Sequence, residues 1–566
     1  MQLNFEIKNK NFKSYHHNIQ ILCDGYILPK NENFEKYLNY HDEDLIFELY
    51  KLHKDEFIHF IKGVFLIIIK LENKVIIFTD RLGLKKIYYR IDQDQITFSN
   101  QIEKLKINND LSLDTKTLIT KALLNREINH QTIFKNINSS TSAFFFKQEG
   151  DSFTFEKYWT PENLKIGINK SYDISYFENL LKQNILNLDT YFHPKNYSIT
   201  LTGGKDSRTG LCTLLNLGIQ PTGFTYGNIK SKDAVFARKL AKTAQIDHHV
   251  FDLPKNIDSI KDIIEKIISF KNPSINIHRA HRFYAFKQLE NITSKKQVYI
   301  AGYMAGELLM GIYYDDTVFP RFLTQVWEQK TTLNIENTKI CIANSFLKVN
   351  NNEIDLTIED LNKLKTLNIK NDLFTAQLNG IFELGIPHHS QDIYLSSKTI
   401  MYPYPLFLDL DFLDALFQSK YSFKYTNNKT KNILERYKLY YFNLNLQHRL
   451  FPKLSKVPFA KKGNYNTLDF LRGNFLWSFK KVLNYLKDRE KYPPNFVYDK
   501  EYYDYVLDEL EKIANDKTHT IHSFFDLEKA INTLKNTSEL TQEKQWIRFT
   551  NIISTYAYFN KIKHEN

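Results

Sequence analysis

The chain has 566 residues, with 76 Lys and Arg against 64 Asp and Glu, a formal charge of +12. It is 42% hydrophobic and 14% aromatic, with only 18 Gly and 14 Pro, which excludes collagen-like, Gly/Ser-linker and Pro-rich chains and argues against general disorder. Three scattered cysteines, Cys23, Cys212 and Cys341, cannot build a disulfide framework or a cysteine zinc site. Apolar runs such as residues 64–69 have strand length and are far too short to span a membrane. The excess charge is spread thinly and no nucleic-acid motif accompanies it, so neither a nucleic-acid nor a membrane partner is expected. The opening residues turn polar at once, without the apolar core of a signal peptide, and a cytoplasmic protein is expected.

In chain order, the first 160 residues read as mainly β. Runs rich in β-branched and aromatic residues recur at 21–27, 63–71, 75–79, 86–90, 96–99, 143–147 and 152–158, bounded by turn residues. Residues 45–52 and 113–124 carry helical spacing. After about residue 165 the texture alternates: helix 172–188, strand 197–201, helix 208–217, strand 222–226, helix 231–243, strand 249–253, then a strand at 297–300. Strand–helix alternation predicts a parallel sheet flanked by helices. From about residue 405 helical patterns dominate, including 476–486, 501–514 and 545–559. The expected fold class is therefore α/β in two domains, 1–165 and 166–566.

Between the strand ending at Leu201 and the next helix lies Thr202-Gly203-Gly204-Lys205-Asp206-Ser207. Adjacent glycines let the backbone turn sharply and bring N–H groups to an anion, towards which the following helix points its positive end. Thr202 and Ser207 add hydroxyls, and Asp206 is a candidate Mg²⁺ ligand. The hexapeptide fits neither the Walker A nor the dinucleotide-binding glycine pattern. His278-Arg279-Ala280-His281 spaces two imidazoles by one helical turn but offers no third zinc ligand. Pro387-His388-His389-Ser390 reads as a turn.

The hexapeptide resembles the pyrophosphate loop S-G-G-x-D-S of the N-type ATP pyrophosphatases, specifically the asparagine synthetase family, with Thr202 for the first Ser. Residues 301–313 resemble that family's second loop, S-G-E-G-x-D-E-L-F-G-G-Y. Residues 405–409 resemble its P-F-L-D segment, and Phe459-Ala460-Lys461-Lys462-Gly463 its R-x-K-x-G-F stretch. Gly63-Val64-Phe65 and Asp80-Arg81-Leu82-Gly83 resemble segments of class II glutaminase domains. The resemblance implies an Ntn-hydrolase-like αββα N-terminal unit and a C-terminal adenine-nucleotide α-hydrolase-like unit. It implies ATP as substrate with Mg²⁺. ATP would lie on Leu201, Thr202, Gly203, Gly204, Asp206 and Ser207, with Thr225, Tyr226 and Gly302 beside the nucleotide. Catalytic roles fall to Lys461, Tyr303 and Glu307, with Lys462 and Lys456 as alternatives to Lys461. The implied reaction adenylates a small-molecule or peptide carboxylate, releases pyrophosphate, and forms an amide with an amine or ammonia.

Departures are informative. A class II glutaminase uses an N-terminal Cys as nucleophile with its own α-amine as base; position 2 here is Gln2. Glutamine hydrolysis is therefore expected to be absent. Tyr303 stands where the second loop has Glu, and Gly306 where it has Asp. The phenol, with an ordinary pKa of about 10, is shared with the β-lactam synthetase branch, although the Glu that pairs with it there has no counterpart at 400–403. The second reading is a catalytically impaired family member acting as a nucleotide-binding scaffold.

Overall fold

The computed structural model describes the chain except residues 1, 8–10, 94, 107–110, 125, 129, 165–166, 168, 294–296, 311–338, 340–341, 370–377, 398–400, 424–432, 461–464, 474, 476, 480–481, 484–491, 497–499, 538–542 and 565–566. The β-rich N-terminal sequence folds into two sheets. One contains β1 (Gln2–Glu6), β6 (Tyr88–Asp92), β7 (Gln95–Ser99) and β8 (Asn138–Ser139), in the order β1-β7-β6-β8. The other is antiparallel and runs β10-β9-β5-β4-β3-β2, from β2 (Lys13–Tyr15), β3 (Ile19–Pro29), β4 (Ile61–Leu71), β5 (Lys74–Thr79), β9 (Phe144–Glu149) and β10 (Ser152–Lys157). β4 shows why its sequence is apolar on both parities. Phe65, Ile67 and Ile69 pack with Leu45, Ile46 and Leu49 of the helix Asp42–His53. Leu66 and Ile68 face the four-stranded sheet, in a core shared with Tyr89 and Phe98. A strand buried on both faces loses the alternation of a half-exposed one.

The second half is built on a parallel sheet ordered β13-β12-β11-β14-β15: β11 (Asn196–Thr200), β12 (Thr222–Tyr226), β13 (His248–Phe251), β14 (Gln297–Ala301) and β15 (Met401–Pro405). β11 pairs Ser198 with Thr222 on one side and Asn196 with Gln297 on the other. Both faces are covered. Tyr299 and Ala301 pack with Phe286 and Leu289 of the helix Ala280–Ile292. The intervening Val298 and Ile300 join the main core with Leu211 and Leu214 of the helix Asp206–Asn216. The molecule is thus mixed α/β, with a parallel sheet among several.

A polar seam joins the two halves. Lys62 of β4, almost wholly buried, reaches Asp409 at 2.8 Å and Asp411 at 2.6 Å, and donates to Asn31. Asp409 is also the N-cap of the helix Leu410–Phe417 and accepts from the Tyr404 hydroxyl. The Tyr26 hydroxyl donates to the Pro403 carbonyl at 2.7 Å.

Two segments differ from the sequence expectation. Residues 387–390, read as a turn, lie inside the helix Ile386–Ser397. Pro387 lies just past the π-helical stretch Gly380–Gly385 in a continuous helical run, and that wider turn accommodates a residue without an N–H. β15 has no counterpart among the strands expected from the sequence; it carries Pro403 and Pro405 and is the sheet's edge, where proline is admissible. Of the helical pattern 476–486, residues 476, 480–481 and 484–486 lie outside the described residues. Among the described residues no helix is long and apolar enough to cross a membrane.

Candidate functional site

In a parallel sheet the crevice forms where successive connections leave in opposite directions. Here that point lies between β11 and β14: the chain passes from β11 to β12 on one side, while β14 flanks β11 on the other. Two loops leave the carboxyl ends of these strands, residues 201–205 and 302–304. The second meets the end of the glycine hexapeptide 202–207. A Cβ on Gly302 would lie 3.2 Å from the backbone of Ser207, in the first turn of the helix Asp206–Asn216, so Gly302 approaches that turn as closely as a residue without a side chain allows.

The first loop is fastened internally. Leu201 N–H donates to the Phe224 carbonyl, and the Thr225 hydroxyl donates to the Leu201 carbonyl at 2.6 Å. Gly203 N–H donates to Asp233, at the start of the helix Lys232–Ala244, and Gly204 N–H donates to the Thr202 hydroxyl. Thr202 N–H donates to the Ser207 hydroxyl at 3.3 Å. Both glycine N–H groups, expected from the sequence to face an anion, are thus engaged within the protein. The backbone donors left for an anion here would be those of the first turn of the helix Asp206–Asn216. Gly203 is a packing requirement as well, since a Cβ there would meet that of Ala460 at 2.1 Å.

The segment 457–460 is pinned to this loop by a residue that sequence reasoning missed. Arg208, fully buried, donates to the carbonyls of Val457 at 2.6 Å and Pro458 at 2.9 Å. Its guanidinium lies 4.0 Å from the Phe459 ring centroid, and Ala460 N–H donates to the Gly203 carbonyl. Burial pulls the Arg208 pKa down to about 10, so the group stays charged at neutral pH. Lys205, in the variable position of the hexapeptide, puts its ammonium 3.3 Å from the Tyr440 ring centroid. From the helix Ile433–Leu450, Gln447 donates to the Lys205 carbonyl and Asn443 donates to the Asp206 carboxylate. The signal for these two in the sequence was weak: they lie four apart on one helix face, but the same helix carries six other polar or charged residues.

Glu307, on the helix Ala305–Met310, is the second carboxylate at this point. Burial raises its pKa, and the charge of Asp206 raises it further. A buried carboxylate whose ionisation a neighbouring carboxylate disfavours marks a place where a cation is stabilising. Magnesium binding needs only one or two carboxylates when phosphates and water complete the shell, so Asp206 and Glu307 fit that group. Among the described residues no cluster of three or more His, Cys, Asp or Glu forms a metal site, the His278–His281 pair included.

Thr225 and Tyr226 end β12. His248, buried and pushed down to about 4 by desolvation and nearby Arg238, is neutral at physiological pH. Because the Thr225 hydroxyl donates to Leu201, His248 Nε2 at 2.9 Å must be the donor to Thr225, which assigns its tautomer. Tyr226 neighbours His281, 5.8 Å between ring centroids, and stacks with Phe496 at 6.4 Å. Asn495 accepts from Asn228 N–H and donates to Asp233. Tyr303 lies near the phenols of Tyr26 and Tyr394, whose pKa values its charge would raise. Lys461 and its alternative Lys462 lie outside the described residues, and Lys456 ends a short 3₁₀ turn. Cys23 and Cys212 are buried, and burial raises the Cys212 thiol to about 12.

Residues 28–159 match the sequence profile of the glutamine amidotransferase domain. This is under a quarter of the chain, and that segment is amidotransferase-like. No curated protein matches. Among solved structures, the chain matches NMN synthetase from Francisella tularensis at 15% identity, over 39% of this chain and 96% of that one, with a TM-score of 0.23. So low a score carries nothing about fold or function.

Proposed function

We propose that the chain is an ATP-using carbon–nitrogen ligase of the asparagine synthetase kind, with units at 1–165 and 166–566. It would adenylate a carboxylate, release pyrophosphate and join the acyl group to an amine or ammonia without hydrolysing glutamine. The observation that carries this reading is the contact of two glycine loops at the sheet's switch point, with Asp206 and Glu307 beside them. The pyrophosphate would lie across residues 202–207 against the first turn of the helix, with the adenine near Thr225 and Tyr226. Asp206 and Glu307 would hold Mg²⁺, whose chemistry is to neutralise phosphate charge. Lys461 would stabilise charge on the acyl-adenylate and the tetrahedral intermediate, a role that a fixed cation performs best in a closed site. Loss of glutamine hydrolysis follows from internal cysteines, Cys23, Cys212 and Cys341, which have no α-amine to act as base.

The test is pyrophosphate release from ATP with a panel of carboxylates, in wild type, Asp206→Ala and Lys461→Ala. Carboxylate-dependent release is expected in wild type and none in Asp206→Ala. Lys461→Ala is expected to lower kcat more than it raises the KM for ATP. A wild-type protein that binds ATP but releases no pyrophosphate with any carboxylate supports the scaffold reading instead. That second reading is favoured by Gly306 in the second loop and by the internal use of both glycine N–H groups.

A further inference from the structure

At the seam between the N-terminal sheets and the parallel-sheet half lies a cavity of about 30 Å³, bounded by β3, β4, Arg81 and Tyr158 on one side and by residues 404–410 on the other. That is room for two or three water-sized groups at roughly 10–15 Å³ apiece. Arg81 is only 6% exposed, and its Nε has no hydrogen-bond partner. Among the described residues its guanidinium makes neither an ion pair nor a hydrogen bond; it rests on the face of Trp159, 4.6 Å from the ring centroid. The carboxylates whose field it feels, Asp411 and Asp414, are engaged by Lys62 at 2.6 Å and Lys30 at 3.3 Å. The Tyr158 hydroxyl, in the same wall, also has no partner among the described residues. Burial raises its pKa, so it remains a donor.

A buried guanidinium without acceptors is strongly destabilising unless something else supplies them. The stacked ring offsets only part of this. The remaining demand is for a planar, singly charged acceptor that can take two parallel N–H bonds, which is the geometry of a carboxylate. A phosphate dianion would leave a second charge uncompensated. Of the other lining residues, Leu28, Ile58 and Ile61 are aliphatic, while the charges of Lys62 and Asp409 are spent on each other at 2.8 Å.

We propose that this cavity binds a small aliphatic carboxylate. Arg81 grips the carboxylate, Tyr158 donates to it, and the alkyl end lies against Leu28, Ile58 and Ile61. The site is separate from the nucleotide loops and stands whether or not they bind ATP. Because residues of both halves line it, its occupant also ties the halves together. Isothermal titration of the full chain with acetate and propionate, in chloride buffer, tests this. Acetamide serves as the neutral isostere and inorganic phosphate as the alternative anion. Saturable binding of the carboxylates is expected, with acetamide and phosphate at least about tenfold weaker. Arg81→Met should weaken acetate binding by about tenfold or more, and Tyr158→Phe by about three- to tenfold. Absence of saturable acetate binding to wild type, equal binding of acetamide or phosphate, or unchanged affinity in Arg81→Met would each overturn the proposal. Should Arg81→Met fail to fold, Tyr158→Phe decides alone, and unchanged acetate affinity in it overturns the site.

Discussion

Gly203 and Glu307 are the residues whose environments most sharply constrain substitution. A methyl at Gly203 would collide with the Cβ of Ala460 at 2.1 Å and that of Phe236 at 3.0 Å. Neither can swing aside as a flexible side chain would. Gly203→Ala should therefore cost about 1–3 kcal/mol, the range for overpacking a tight site, and should weaken nucleotide binding by displacing the loop. Gly150→Ala is the control: its φ is +59° but nothing lies within 4 Å, so only backbone strain of about 1–2 kcal/mol applies. Urea midpoints, with nucleotide titrations, separate the two. For Glu307 the sign is set by its raised pKa. The unfolded chain loses this proton first, near pH 4.3, so the folded state is progressively penalised as pH rises above that value. Glu307→Gln should be more stable than wild type at pH 7, and the difference should vanish below about pH 4. Denaturation at both pH values checks this; an unchanged difference between them would contradict the assigned environment.

Arg208 does for an element what Gly203 does for a residue: it fixes the segment 457–460 to the loop at 202–207. Arg208→Met keeps the stem but leaves the carbonyls of Val457 and Pro458 without their donor. An expected loss of about 2–4 kcal/mol follows from two unsatisfied buried acceptors, together with a raised KM for ATP because the loop loses its backing. The same element shows what the sequence could reveal. Strand β12 was legible to the residue, and β11 and β14 within one, because apolar runs of strand length stood between turn residues. The helix Lys232–Ala244 was legible from Ser231, whose side chain accepts from Ala234 N–H as its cap. β15 was hidden by its prolines, and the helix at 386 by a proline that follows a π-helical stretch within a longer helical run. The loop's hexapeptide was plain, but its internal fastening was not. Gly203 meets Ala460 and Asp206 meets Asn443 across more than 200 residues of sequence, and no local pattern encodes such pairings.

At the scale of the whole molecule the N-terminal sheets and the parallel sheet depend on each other through Lys62. Lys62→Met would leave Asp409 and Asp411 buried without their cation. Removing one partner of a buried ion pair typically costs about 3–5 kcal/mol, so a large fall in the denaturation midpoint is expected. Much of it should be recovered in the triple variant Lys62→Met, Asp409→Asn, Asp411→Asn. Failure of that recovery would show that packing, not charge, dominates the seam.

The Lys62 contact also orders events in time. Its lysine is made 349 residues before Asp411, and Tyr26 is made 377 residues before Pro403. The N-terminal sheets are complete once β10 ends at Lys157, so at about 5–20 residues per second of synthesis they wait roughly 13–50 s for Asp411. Through that interval a lysine destined for the interior stays hydrated on a face flanked by Tyr26 and Leu28. The chain therefore emerges with a charged group guarding an apolar docking face, which discourages that face from closing on another nascent copy before its own partner arrives.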